Sequence, residues 1–214
     1  MELIPKAKPV RIRIKSGGKE HFSLDSLKRN FSVQDLWEAA VGGSLFSWLE
    51  NQKETDLKGK LDAFLKQYIV ADGEEKALVG KLSIEKYLEF CGLFFEKETG
   101  GHAFEDVNAL IQFYKDQNLK ENLQFAFSFL ADSIDYQNGM ALWNSYSDLM
   151  SVEEWASFFL KKLPLLDGNE EIDCCRLLSK LYESNQDTSK AKYYSDKVEK
   201  IKQYLSREKK LVYE

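Results

Sequence analysis

The chain has 214 residues, of which 43% are hydrophobic and 30% are charged, so it can bury a core and is not a disordered tail. Its net charge of -5 disfavours a dominant role in binding nucleic acid. No apolar run is long enough to span a membrane, and the first ten residues lack the apolar core of a secretory signal. Three cysteines, two of them adjacent at Cys174 and Cys175, indicate a reducing compartment rather than a disulfide framework. We therefore expect a cytoplasmic protein that does not bind membranes.

Apolar and basic residues alternate from Val10 to Lys15, which predicts a half-buried strand. The sequence Ser16-Gly17-Gly18 suits a tight turn, and residues 19–23 are able to return as a second strand. A lone two-stranded hairpin is only marginally stable in water. We therefore expect it to lie on a helical body or to pair with another chain.

Helices are predicted for the rest of the chain, since no proline occurs between Pro9 and Pro164. Helix-capping residues divide this stretch, and the predicted N-caps are Ser23, Ser32, Ser83 and Ser151. Gly73 is predicted to open a further helix that ends near Lys81. The pattern indicates a mainly α fold, an irregular helical array or bundle of about ten helices with a short N-terminal β-hairpin.

A central break is predicted at Gly100-Gly101. It divides the chain into residues 1–98, a β-hairpin with a helical module, and residues 102–214, a second helical module. A single continuous domain is the alternative.

Two stretches resemble known modules. Residues 172–200 resemble a tetratricopeptide-type helix pair, with Leu177-Leu178 and Tyr182 on the first helix, Asp187 in the turn and Ala191 on the second helix. Gln186 replaces the turn glycine of that family, and no second copy is evident. Residues 11–49, with Phe22-Ser23-Leu24, Asn30-Phe31-Ser32, Gly43 and Trp48-Leu49, resemble a small module near the front of bacterial multidomain proteins. That resemblance implies a bacterial accessory or interaction role.

Common catalytic patterns are absent from the sequence. It has two histidines, His21 and His102, and no phosphate-binding glycine loop or nucleophile elbow. His102 has Glu98, Glu105 and Asp106 nearby in sequence, but a third metal ligand is not evident. We expect no catalytic residue, no metal and no cofactor; an enzyme that uses carboxylates around His102 is an alternative.

Aromatic residues occur as adjacent pairs at Phe94-Phe95, Phe158-Phe159 and Tyr193-Tyr194. Neighbours on a helix face different directions, so each pair indicates either a helix buried on two sides or an exposed aromatic side chain that binds a partner. We expect a non-catalytic adaptor or accessory subunit of a bacterial complex, with a regulatory or defence role among the options. The predicted partner-binding residues are Arg11, Arg13, Tyr182, Tyr193 and Tyr194. A nucleic-acid-associated subunit with basic termini is a further alternative.

Overall fold

The structure is a computed structural model that describes residues 12–72 and 82–212, with side chains for residues 12–68 and 82–207. Helices dominate as predicted, and the described residues form eleven α-helices and one short β-hairpin. They divide into two compact units, one that ends at Leu130 and one that begins at Ala131. The helix predicted between Gly73 and Lys81 and the site residue Arg11 lie outside the described residues.

The first unit opens with antiparallel strands β1 (Ile14–Ser16) and β2 (Lys19–His21), in which Ile14 pairs with His21. The described part of β1 is thus shorter than the predicted strand. Seven helices follow among the described residues: α1 (Leu24–Lys28), α2 (Val33–Val41), α3 (Ser44–Asn51), α4 (Thr55–Asp72), α5 (Ile84–Phe95), α6 (Val107–Asp116) and α7 (Lys120–Leu130).

The predicted serine caps of this unit are confirmed, because Ser23, Ser32 and Ser83 each accept a hydrogen bond from the third residue of the helix that they begin. The cap at Ser32 differs from a capping box. The Asp35 carboxylate accepts a hydrogen bond from Gly17 N (2.6 Å), and Ser32 N donates instead to Ser16 Oγ (2.8 Å). Local capping and attachment of the hairpin therefore use the same residues.

Phe31 is at the centre of the first core. Its ring contacts those of Phe90, Phe94 and Phe95 at centroid distances of 4.9–6.2 Å. Phe95 also contacts Phe113 and Tyr114 on α6. Edge-to-face pairs of this kind add to the stability gained from burial alone.

The second unit contains four helices in its described part: α8 (Tyr136–Ser145), α9 (Val152–Lys162), α10 (Gly168–Ser184) and α11 (Thr188–Val212). Three short 3₁₀ turns connect to them, at Ala131–Ser133, Ser147–Leu149 and Leu163–Leu165. The predicted capping box at Ser151 and Glu154 is confirmed, with both reciprocal hydrogen bonds formed.

Trp155 organises the second core. Its indole is fully buried, stacks on Phe159 and meets Trp143 edge to face. Trp155 Nε1 donates to Ser147 O (3.0 Å), which satisfies the one polar atom of the ring.

The compact units divide at a different point from the predicted domains. Gly100 and Gly101 do form the turn between α5 and α6, both with left-handed backbone (φ +67° and +84°). The first unit continues to Leu130 nevertheless, since Phe95 before the turn packs on Phe113 and Tyr114 after it.

Candidate interaction surfaces

Helices α10 and α11 form an antiparallel hairpin through a turn at residues 185–187. Ala191 and Val198 are buried against α10, and Ser179 Oγ donates to Ala191 O (2.8 Å). Further along, Lys197 Nζ lies 3.0 Å from Glu171 Oε1. These contacts fix the register of the two helices.

Of the predicted partner-binding tyrosines, Tyr182 is buried and Tyr194 is half-buried. Tyr182 is 8% exposed and stacks on Tyr194, with centroids 5.7 Å apart and rings 9° from parallel. Burial, and next the neighbouring Tyr182 ring, raise the pKa of Tyr194. Tyr193 instead has 62% of its surface exposed and meets the edge of Tyr194.

In the other two adjacent aromatic pairs, neither ring is exposed. Phe94 and Phe95 are both buried, as are Phe158 and Phe159, so α5 and α9 are covered on two sides. Tyr193 therefore differs from these phenylalanines in presenting a large ring to solvent.

Three further residues share the outer face of α11 with Tyr193. Lys200 and Arg207 follow it at intervals of seven, and Tyr204, also 62% exposed, lies between them. Sequence reasoning missed these three residues, although the spacing 193-200-204-207 is visible in the sequence. We call Tyr193, Lys200, Tyr204 and Arg207 the outer face of α11.

The N-terminal hairpin packs on the helices of its own unit, the first. Ile14, Ser16 and His21 are buried, and Ser16 Oγ donates to Asn30 O (2.8 Å). The predicted site residue Arg13 is exposed and pairs with Glu20 across the hairpin (2.7 Å). Its charge is therefore already partly balanced within the chain.

A polar cleft of about 760 Å³ lies between β2, α1 and the turn before α7. His21 forms its buried wall, with Nδ1 2.9 Å from Ser26 Oγ and Nε2 3.2 Å from Ser16 O. Two cations and two carboxylates line the cleft (Lys19, Arg29, Asp25 and Glu121), so it favours neither sign of charge.

His102 is exposed in the turn between α5 and α6. The acids near it in sequence have other partners: Glu98 pairs with Lys28 (2.7 Å), and Asp106 caps α6 through Ala109 N (2.7 Å). Within the described residues, no group of three or more histidine, cysteine or acidic side chains is arranged to hold a metal.

All three cysteines are buried and none is in a disulfide. Cys174 and Cys175 are both fully covered, because the turn of α10 on which they lie packs on two sides. Burial raises the pKa of Cys91 and of Cys174 to about 12. Such thiols are poor nucleophiles.

No helix within the described residues combines the length and the apolar character that crossing a bilayer requires. No family model matches the chain, and no curated protein or solved structure is significantly similar to it.

Proposed function

We propose that this chain is a protein-interaction module, an adaptor or accessory subunit that binds another protein through its α10–α11 hairpin. The observation that carries the proposal is the 62% exposure of Tyr193, beside the half-buried Tyr194 that stacks on Tyr182. Tyrosine and arginine are enriched at protein interfaces, where a rigid ring adds contact area at little entropic cost.

The resemblance of residues 172–200 to a tetratricopeptide-type pair supports binding through the same hairpin, because such helix pairs bind partner proteins on their helix surfaces. The resemblance of residues 11–49 to modules of bacterial multidomain proteins supports a place in a bacterial cytoplasmic complex. Of the predicted residues, Tyr193 is the one we propose for direct contact. Tyr182 and Tyr194 hold the hairpin that presents it.

The test is isolation of the tagged full chain from its native cells at moderate salt, followed by mass spectrometry. We expect one stoichiometric protein partner, whose recovery falls about tenfold for Tyr193→Ala, as for an interface hot spot. Phe22→Ala is the matched control, since Phe22 is another exposed ring (50%) in the first unit. Isolation of no protein, or equal recovery with Tyr193→Ala, would refute the proposal.

A further inference from the structure

The polar cleft between β2, α1 and the turn before α7 has the size of a small-molecule site. Its volume of about 760 Å³ lies within the range of ligand pockets, about 300–1,000 Å³. Leu119 is the one apolar side chain among the described residues that line it, and no phenylalanine, tyrosine or tryptophan of that part of the chain does so. A hydrophobic ligand, or a nucleobase that binds by stacking, therefore has little to contact there.

The inner wall of the cleft is polar and is held in place by hydrogen bonds. His21 and Asn30 both line the cleft and are only 3% and 4% exposed. Asn30 Nδ2 donates to Ser16 O (2.6 Å), which orients the amide. Asn30 Oδ1 is then left buried without a donor from the residues that the structure describes. Native proteins rarely leave a buried acceptor unpaired, so a bound molecule that donates a hydrogen bond at this wall would satisfy it.

Four charged side chains line the cleft, and two of them pair with each other. Lys19 Nζ lies 3.7 Å from Glu121 Oε1, which joins β2 to α7. Arg29 ends α1 four residues after Asp25, so these two side chains lie on the same face of that helix. Both are exposed, and neither forms an ion pair with another residue that the structure describes. The cleft therefore offers one carboxylate and one guanidinium as neighbouring, unpaired groups.

We propose that this cleft binds a small zwitterion, a free amino acid with a polar side chain. The ligand carboxylate accepts from the Arg29 guanidinium, whose parallel N–H groups match two carboxylate oxygens. The ligand ammonium donates to the Asp25 carboxylate, and the ligand side chain exchanges hydrogen bonds with the amides of Gln117 and Asn118. A dianion would instead bring a like charge against Asp25, and a dication would do so at Arg29.

The proposed site uses residues of the first unit alone and goes beyond the proposed function, which concerns the α10–α11 hairpin. The test titrates the isotopically labelled full chain with L-glutamine and follows its backbone amide signals by nuclear magnetic resonance. We expect a dissociation constant of about 1 mM or tighter. The largest shifts should be those of Ser26, Arg29 and Asn118, which line the cleft.

Comparison compounds separate the parts of the ligand. N-acetylglutamine lacks the ammonium and glutaminamide lacks the carboxylate, so each should bind at least about tenfold more weakly than glutamine. Succinate and putrescine, which carry charges of one sign, should bind as weakly as these two. L-leucine keeps both charges but has an apolar side chain, and it should also bind more weakly because Leu119 is the one apolar contact among the described lining residues.

Two variants test the charged residues. Arg29→Gln and Asp25→Asn should each weaken glutamine binding by about tenfold. Both positions are exposed, so the fold should tolerate the changes, which circular dichroism checks. Arg176→Gln and Asp173→Asn are the controls, since these exposed residues on α10 pair with each other (2.9 Å) and do not line the cleft.

The controls should bind glutamine as the wild type does. Absence of saturable shifts with glutamine, equal binding of the comparison compounds, or wild-type affinity in both cleft variants would overturn the proposal. Tighter binding of succinate or of putrescine would also overturn it, in favour of a site for charge of one sign. None of these results bears on the recovery of a protein partner through Tyr193, so the two proposals fail separately.

Discussion

At the scale of single residues, Gly17 lies at a close approach between the N-terminal hairpin and the helices on which it packs. Its backbone is left-handed (φ +55°), and a Cβ added there would lie 2.7 Å from Asn30 Nδ2 and closer still to the Phe125 ring. Gly18 is also left-handed (φ +73°), but no atom lies within 4 Å of an added Cβ. Alanine substitution at Gly18 therefore measures the cost of the left-handed backbone alone, whereas alanine substitution at Gly17 adds the cost of a steric clash.

We expect Gly17→Ala to lower the free energy of unfolding by about 3 kcal/mol, since left-handed backbone costs about 1–2 kcal/mol and overpacking about 1–3 kcal/mol. Gly18→Ala should lose only the backbone part, about 1–2 kcal/mol. Urea unfolding of the two variants gives both values. Equal losses would show that the hairpin does not approach α7 as closely as described.

The cysteines give a second prediction at this scale. Because Cys91 and Cys174 have pKa values near 12 in the folded chain against 9.0 for a free thiol, their protonated form is favoured by folding. Their stabilising contribution is complete below about pH 9 and is lost as the pH rises toward 12. We expect unfolding midpoints to fall over that window and none of the three thiols to react with Ellman's reagent at pH 8 before unfolding. Rapid release of one equivalent from the native chain would contradict this.

Among the secondary-structure elements, the hairpin of β1 and β2 is attached to its own unit by burial and by hydrogen bonds. Ile14 is 5% exposed, whereas Ile12, two residues earlier, is 38% exposed. Asn30 Nδ2 donates to Ser16 O (2.6 Å), which adds a polar contact to the apolar one. The edge of the hairpin is thereby fixed relative to α1 and α2.

Ile14→Ala should therefore destabilise the protein by about 2–4 kcal/mol, the usual cost of a cavity in a core. Ile12→Ala removes the same atoms from a more exposed position and should cost less than about 1 kcal/mol. Chemical unfolding of both variants provides the comparison. Similar small losses from both would indicate that the hairpin is a detachable arm.

The elements also show which features the sequence made predictable. Ser23, Ser32, Ser83 and Ser151 lie at helix starts as predicted, because capping depends on residues only three positions apart. The use of Asp35 to bind Gly17 N was not predictable, since that bond joins residues 18 apart in sequence. The outer face of α11 has a helical period, but the period alone does not say which side another helix covers.

Considered as a whole molecule, the chain forms two compact units, and aromatic contacts within the first unit cross its central turn. Phe95, Phe113 and Tyr114 join the residues on both sides of Gly100-Gly101, so that local break in the backbone does not end the unit. The sequence marked the turn because glycine acts locally, but the packing across the turn depends on contacts that no local pattern encodes. Within the second unit, Trp155 contacts Trp143 and Phe159.

We expect the fragment 131–214 to be helical and to unfold cooperatively, because Trp155, Phe159 and Tyr136 pack on one another within it. The fragment 102–214 is the comparison, since it would leave Phe113 and Tyr114 without Phe95. It should bind the dye ANS more strongly than the shorter fragment. Circular dichroism and dye fluorescence measure both properties, and the opposite ranking would favour the boundary at Gly100-Gly101.

The side chain of Asn122 has a consequence for the order in which the chain folds during synthesis. It is fully buried, accepts from Phe31 N (2.9 Å) and donates to Lys28 O (2.7 Å), across 91 and 94 residues of sequence. At about 5–20 residues per second a ribosome needs about 5–19 s to add that many residues. The segment made first therefore waits with its backbone groups in water until α7 has emerged. The first unit therefore completes its fold only when α7, its last helix, is available. A ribosome that pauses before residue 122 would hold an incompletely folded, aromatic-rich intermediate that is accessible to chaperones.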